Sequence, residues 1–314
     1  MIRMAFRFLL LCVLCSHGFG PSVVRAQAPV VPNPSANTQN DDDSAAGFRI
    51  LDLIALDKDG RPVTDLRPEE LLLFEDNSEQ KIKSLSPAAT EPLTIGLFFD
   101  VSGSRRSDTH VEDETRLTSE FLRAIWREGD AGFLMAFNDQ ALAVTQPTHK
   151  LEEIDKGFRQ ILETKPRGST SLYDILCLVK PEHLNALPGR KVYVVFSDFE
   201  DNSSRNKAEN VLDVARKGAV SIFPVILSEG LGGSHSKRSR EQAFKIADEC
   251  GGEVLIPESH KQLGQVFQRL TADVQSAYRI RYLPSLPVSQ DKDKGGKLKL
   301  QSTRVGVRLL YPKG

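Results

Sequence analysis

Hydrophobic and polar positions along the chain fall into two textures. Between Phe48 and Lys83, short apolar runs are broken by Asp, Asn and Gly. These read as strands at Phe48 to Leu56, Leu71-Leu72-Leu73-Phe74-Glu75 and Lys81-Ile82-Lys83, with turns at Asp57-Lys58-Asp59-Gly60 and Asp76-Asn77. From Pro92 onward, apolar runs alternate with helix-period segments, which predicts a mostly parallel sheet covered on both faces. The predicted strands are 94–99, 131–137, 141–144, 191–197, 220–227 and 253–256. Helices are predicted near 114–127, 151–162, 171–186, 206–217, 241–249 and 261–276. Asn138-Asp139-Gln140 marks a tight hairpin, so the third strand is expected to be an antiparallel edge.

After the last helix, strand character returns at 277–283, 297–300 and 304–310, around a polar loop at 284–296. An isolated hairpin is marginal in water, so these strands need a sheet to join, and so do the N-terminal ones. The economical expectation is a small β-sandwich-like domain made from residues 47–90 and 277–314. Into it is inserted an α/β domain, 91–276, doubly wound around a mostly parallel six-stranded sheet.

Residues 1–26 stand apart from both. Arg3 and Arg7 precede a short apolar stretch from Phe8 to Leu14, and Val24-Arg25-Ala26 has the small-residue pattern of a cleavage site. The apolar run is well short of the ~20 residues of a spanning helix, and Leu14 before Cys15 is larger than a lipoprotein signal favours. The reading is an export signal cut after Ala26, hence a periplasmic or extracellular protein with no integral membrane segment after cleavage. Gln27 to Ala46, rich in Pro, Asn, Ser and Asp, reads as a disordered tether.

Loss of Arg3, Arg7 and Arg25 leaves 38 basic against 42 acidic residues, a net charge of −4. That balance argues against nucleic acid as a general partner. Of four Cys, only Cys177 and Cys250 would remain. Export would permit a disulfide, but nothing local brings them together, so both are read as free thiols.

The candidate chemistry sits at the end of the first α/β strand. Thr94 to Phe99 delivers Asp100-Val101-Ser102-Gly103-Ser104, one carboxylate and two hydroxyls on a tight turn that Gly103 permits. A hard divalent cation such as Mg²⁺ takes six oxygens, often only one or two of them from carboxylates. Further ligands should come from the same carboxyl edge of the sheet. Thr170, in Gly168-Ser169-Thr170, and Asp198, after the strand ending Val195-Phe196-Ser197, lie there.

Asp-x-Ser-x-Ser, a distant Gly-x-Thr and a strand-ending Ser-Asp, in that order, resemble the metal-ion-dependent adhesion site of von Willebrand factor type A domains. The resemblance implies that Asp100, Ser102, Ser104, Thr170 and Asp198 hold one ion, Mg²⁺ or else Mn²⁺ or Ca²⁺, some of them through water. The flanks are similar to those of exported bacterial VWFA-related proteins, many from Acidobacteria: Leu56-Asp57-Lys58-Asp59-Gly60-Arg61-Pro62-Val63-Thr64-Asp65-Leu66, Leu73 to Ile82, and Tyr278-Arg279-Ile280-Arg281-Tyr282-Leu283-Pro284. One position departs from the family: Phe199 follows Ser197-Asp198 where Gly is usual, which restricts the backbone and adds bulk beside the site.

What the resemblance implies is a non-enzymatic, exported binding module whose ion accepts a carboxylate from a protein partner with an exposed Asp or Glu. Two other readings stay open. One is a metal-free scaffold with a degenerate site, its β-domain recruiting partners by strand addition; the other is a metal-assisted hydrolase. For an enzyme the chain offers no Gly-x-Ser-x-Gly elbow, Walker loop or Gly-x-Gly-x-x-Gly turn, and its six His have no zinc spacing. Asp57 and Asp59 read as a plain turn. Asp108, Glu112, Asp113 and Glu114 read as acids favouring a helix start rather than a second cation site. Gly230 to Arg240 reads as a solvated basic loop.

Overall fold

The computed structural model of the chain describes residues 47–105, 111–226, 237–284 and 297–313. The expected signal (1–26), tether (27–46), Asp108 and most of the 284–296 loop lie outside the described residues. Among those described, no helix is long and apolar enough to cross a membrane.

The inserted unit is built on a five-stranded sheet. Its strands are β4 (Leu93–Asp100), β5 (Ala131–Phe137), β6 (Ala141–Thr148), β7 (Arg190–Ser197) and β8 (Val220–Ile226), in the order β6-β5-β4-β7-β8. β5, β4, β7 and β8 are parallel and β6 is the antiparallel edge. All of β4, β5 and β7 is buried, as expected of strands covered on both faces. Alternate residues serve opposite layers. Ile95, Leu97, Phe99, Val194 and Phe196 pack with α1 (Val111–Ile125), α2 (Leu151–Glu163) and α7 (Leu263–Gln275). Phe98, Phe133, Met135, Tyr193 and Val195 pack with α3 (Leu172–Leu176), α4 (Pro181–Asn185), α5 (Ala208–Gly218) and α6 (Lys237–Glu249). Gly96 is needed here: a Cβ on it would lie 2.5 Å from the Phe133 ring and 2.7 Å from that of Tyr193.

Several expectations are corrected. The sixth strand, 253–256, is only a bridge from Leu255 to Val225, because Gly252 and Pro257 bound a segment too short to extend a ladder. The helix expected over 171–186 is two short helices, since Pro181 keeps Lys180 extended (ψ 155°). Lys237, Arg238 and Arg240 open α6 instead of lying in a loop.

The flanks form one antiparallel sheet of six strands, not a sandwich. Its order is β10 (Leu298–Ser302), β2 (Leu71–Glu75), β3 (Ser78–Pro87), β9 (Tyr278–Leu283), β1 (Arg49–Leu56), β11 (Arg308–Leu310). The sheet curls nearly into a barrel: Leu298 N–H donates to the Lys313 carbonyl and Leu300 N–H to the Tyr311 hydroxyl, both at 2.9 Å. With no second sheet to cover it, the inner face buries itself around Leu51, Leu53, Leu73, Ile280, Tyr282 and Leu300. The turn Asp76-Asn77 has both residues at positive φ (48° and 64°), the hairpin geometry that Asp and Asn tolerate. Asp57 Oδ1 accepts from the N–H groups of Asp59 and Arg61 at 2.8 Å each, so that segment is a side-chain-capped turn.

The chain enters and leaves the insertion at one place. Ala88 N–H donates to the Ala277 carbonyl at 2.7 Å. Arg279, itself buried, donates to both oxygens of Asp52 (2.8 and 3.0 Å) and to Glu91 Oε2 (2.6 Å).

Close by, α7 buries Asp273 completely. Neither carboxylate oxygen has a hydrogen-bond partner among the described residues, and Arg269 Nε stands 3.9 Å away. Burial pushes this carboxyl up to about 7. A raised folded-state value means stability is fully present below the unfolded value and is lost as pH rises through about 7. Asp273→Asn is therefore expected to raise stability at pH 8 by on the order of 2 kcal/mol and to leave it nearly unchanged at pH 4. Denaturant titrations of both proteins at the two pH values test this; an equal effect at both would refute it.

Candidate metal centre

β4 ends at Asp100, one residue past the last β4–β7 pair, Phe99 with Phe196. Asp100 is buried. Its Oδ1 accepts from Ser102 N–H at 2.9 Å and its Oδ2 from the Ser197 hydroxyl at 2.6 Å. The turn folds back as expected, with the Ser102 and Ser104 hydroxyls 3.0 Å apart. Ser102 is buried while Ser104 faces solvent. The Asp100 carboxyl is pushed up, first by burial and then by the like charge of Asp198, against hydrogen bonds from Ser102 and Ser197 that pull it down. Two carboxylates thus share the strand tips.

The loop carrying Thr170 is stitched to this turn. Gly103 N–H donates to the Gly168 carbonyl at 2.9 Å, Arg167 N–H to the Val101 carbonyl at 3.0 Å, and Ser171 N–H to the Asn138 carbonyl at 2.8 Å. Gly168 has φ +77°, and a Cβ there would meet Asp139 Oδ1 at 2.9 Å, so both conformation and space require glycine. On its other side the loop is tied to the segment after β7. Thr170 N–H donates to Asn202 Oδ1 (2.8 Å), and the Thr170 carbonyl accepts from Asn202 and Ser203 N–H (3.1 and 3.0 Å). The Thr170 backbone is fully engaged, and its hydroxyl has no hydrogen bond among the described residues. Asp198, also buried, uses Oδ1 to accept from Glu200 N–H at 3.0 Å.

Phe199 resolves the departure at the glycine position. It keeps a glycine-like backbone, φ 60°, and its side chain is fully buried in the α3–α6 layer. The left-handed conformation costs about 1–2 kcal/mol, which burial of the ring at about 2–3 kcal/mol offsets. The expected bulk beside the site is instead bulk in the core.

Other groups were invisible as site residues in the sequence. Ser197 holds the oxygen of Asp100 that Ser102 does not; its position one residue before Asp198 was the available signal. Asp201 Oδ2 accepts from Tyr173 N–H (3.0 Å) at the start of α3 and from the Ser204 hydroxyl (2.5 Å), while the Asp174 carboxylate accepts from the N–H groups of Arg205 and Asn206. These acids brace the loops. Of the acids at the start of α1, Glu114 is buried and accepts from Arg105 Nη2 at 2.9 and 2.7 Å, and Asp113 pairs with Arg116, so the structure gives them helix and ion-pair roles.

The donor set suits a hard cation. Among the described residues no group of three or more His, Cys, Asp or Glu is placed to hold a metal, so any ion at this edge depends on hydroxyls as well as on Asp100 and Asp198. Cys177 and Cys250 are free, and burial pushes both thiols up to about 12, which leaves them protonated at neutral pH.

No family model matches the chain, and neither does any curated protein sequence. Solved structures do. Proximal thread matrix protein 1 from the mussel byssus, with a zinc occupied MIDAS motif, is 15% identical over 62% of this chain and 48% of that one, with a TM-score of 0.50. A von Willebrand factor type A protein from Catenulispora acidiphila is 13% identical over 84% and 71%, at 0.47. The α/β unit resembles a von Willebrand factor type A domain in fold. The D319A mutant of the PilB minor pilin from Streptococcus sanguinis is 13% identical over 60% and 62%, at 0.45. The chain thus spans about half to three fifths of the byssus protein and the pilin. At these identities the likeness is one of fold.

Replacing Phe199 by Gly relieves the backbone but empties a core position. The expected net effect of Phe199→Gly is destabilisation by about 2–4 kcal/mol, the loss of a buried aromatic less the recovered strain. Urea unfolding measures it; a variant as stable as the parent would mean the ring contributes nothing to the core.

Proposed function

We propose that the carboxyl edge of the α/β sheet is a metal-dependent binding site for protein partners that present an acidic side chain. One divalent cation, Mg²⁺ or Mn²⁺, would be held by Asp100, Ser102, Ser104, Thr170 and Asp198. The observation that carries this reading is the pairing of two buried carboxylates, Asp100 and Asp198, at adjacent strand tips with the contacting hydroxyls of Ser102 and Ser104. A cation there neutralises a like-charge pair that burial otherwise penalises. The likeness to a byssus protein with a zinc occupied MIDAS motif supports a divalent ion without specifying which.

This chain's residues divide the work. Asp100 is fixed by Ser197 and Ser102 N–H before any ion arrives, so little ordering is required on binding. Ser102 and Ser104 supply neutral oxygens, and Thr170 offers a hydroxyl from a loop whose backbone is already satisfied. With neutral oxygens and only two carboxylates, Asp100 and Asp198, this donor set would leave a bound cation with net positive charge. A cation held by these residues would supply a positive centre for a partner carboxylate, a charge-assisted contact that would orient the complex. The expected export signal would place this module outside the cytoplasm.

Thermal unfolding with and without Mg²⁺ or Mn²⁺ tests the site. At a concentration about 100 times Kd the wild type should gain about 2.7 kcal/mol, roughly 5–10 °C for a unit of this size. Asp100→Ala should show no response. A wild type whose unfolding is insensitive to either ion would overturn the reading.

A further inference from the structure

The geometry points to a second, metal-independent binding pocket beside the first site, suited to an acidic peptide segment. A cavity of about 440 Å³ opens between the loop after β7, the start of α5 and the first turns of α6. That volume is within the range of pre-formed ligand sites. Its polar lining includes Asp201, Asn206, Lys207, Glu209, Arg238 and Gln242, with Tyr173 at one side and the buried Phe199 and Ala208 beneath.

The charges around it are unevenly satisfied. Glu209 is paired with Lys245 at 3.1 Å. The Asp201 carboxylate is taken up by the Tyr173 and Ser204 N–H groups and the Ser204 hydroxyl. Lys207 and Arg238 have no ion-pair partner among the described residues. Neutral donors hold Asp201 in place without cancelling its charge, so with Glu209 offset by Lys245 the pocket carries Lys207 and Arg238 against one carboxylate, a modest positive balance that favours an anion at the Lys207–Arg238 side. Gln242 Oε1 is buried with no hydrogen-bond partner, an acceptor that calls for an N–H donor. A carboxylate together with an amide N–H is the chemistry of an acidic peptide, and a sulfated or phosphorylated polyanion supplies only the first half.

The pocket is joined to the proposed cation site by covalent structure. Phe199 and Asp201 follow Asp198 in one loop, and Tyr173 lies three residues beyond Thr170. A partner holding one acidic side chain to the ion would place neighbouring residues over this pocket. The inference extends the metal-site reading, but peptide binding here requires no ion, so the two can fail separately.

Fluorescence anisotropy with labelled hexaglutamate in EDTA is the direct test. The wild type should bind, and Lys207→Gln combined with Arg238→Gln should weaken binding about tenfold or more, as expected for two lost charge contacts. The control pair Lys156→Gln and Arg159→Gln, on α2 across the sheet, carries the same charge change and should alter affinity less than about twofold. Absence of wild-type binding in EDTA, an equal loss in the control pair, or heparin outcompeting hexaglutamate at matched charge would each overturn the assignment.

Discussion

β9 holds the molecule together, because it lies in the middle of the curled sheet with β3 on one side and β1 on the other. Both neighbours precede the inserted unit in the chain and β9 follows it. The N-terminal strands cannot complete their ladders until residues 91–276 have folded far enough to bring their two ends together. Unpaired strand edges are costly and aggregation-prone, so the Ala88–Ala277 hydrogen bond and the half-buried cluster of Arg279 with Asp52 and Glu91 stand where the connection must be closed. Buried ion clusters add little net stability over apolar packing, but breaking one is expensive. Here the cluster defines register where two chain crossings meet.

That junction also decides where the site can be. β4 starts at Leu93, just after the junction, and ends seven residues later at Asp100, about 23 Å away along an extended strand. The barrel therefore anchors the amino edge of the parallel sheet and leaves the carboxyl edge to the loops. Those loops are held by hydrogen bonds from one to the next: 101–103 to 167–168, 138 to 171, and 170–174 to 201–206. A site made of loops acquires in this way the rigidity of the strands beneath it.

Much of this was legible beforehand. Fully apolar runs such as Ile95 to Phe99 and Val192 to Phe196 can only be strands buried on both faces, and their limits match the structure to within a residue or two. The α/β insertion between two β flanks followed from the need of lone strands for partners. Boundaries were lost where a local breaker competed with periodicity, as at Pro181 and between Gly252 and Pro257. The closed form of the flanking sheet was not legible, since curvature arises from pairing partners distant in sequence. Within the site, Asp100, Ser102 and Ser104 were readable as one turn because they share a strand end, whereas the roles of Ser197, Asn202 and Asp201 depend on contacts across 28 to 97 residues.

The chain by itself determined the layer pattern, the strand that ends in Asp-x-Ser-x-Ser, and the residue types available to a cation, because these depend on local periodicity and spacing. Tertiary structure decided two things that no local rule could. It placed Asp100 and Asp198 close enough for one to raise the other's proton affinity, a through-space effect of neighbouring strand ends. It also turned Phe199 inward, so that a residue reading as an obstruction became part of the core. Side-chain direction at a left-handed position follows from the packing waiting on each side of it, and much of that packing comes from α3 and α6, which are remote from Phe199 in sequence.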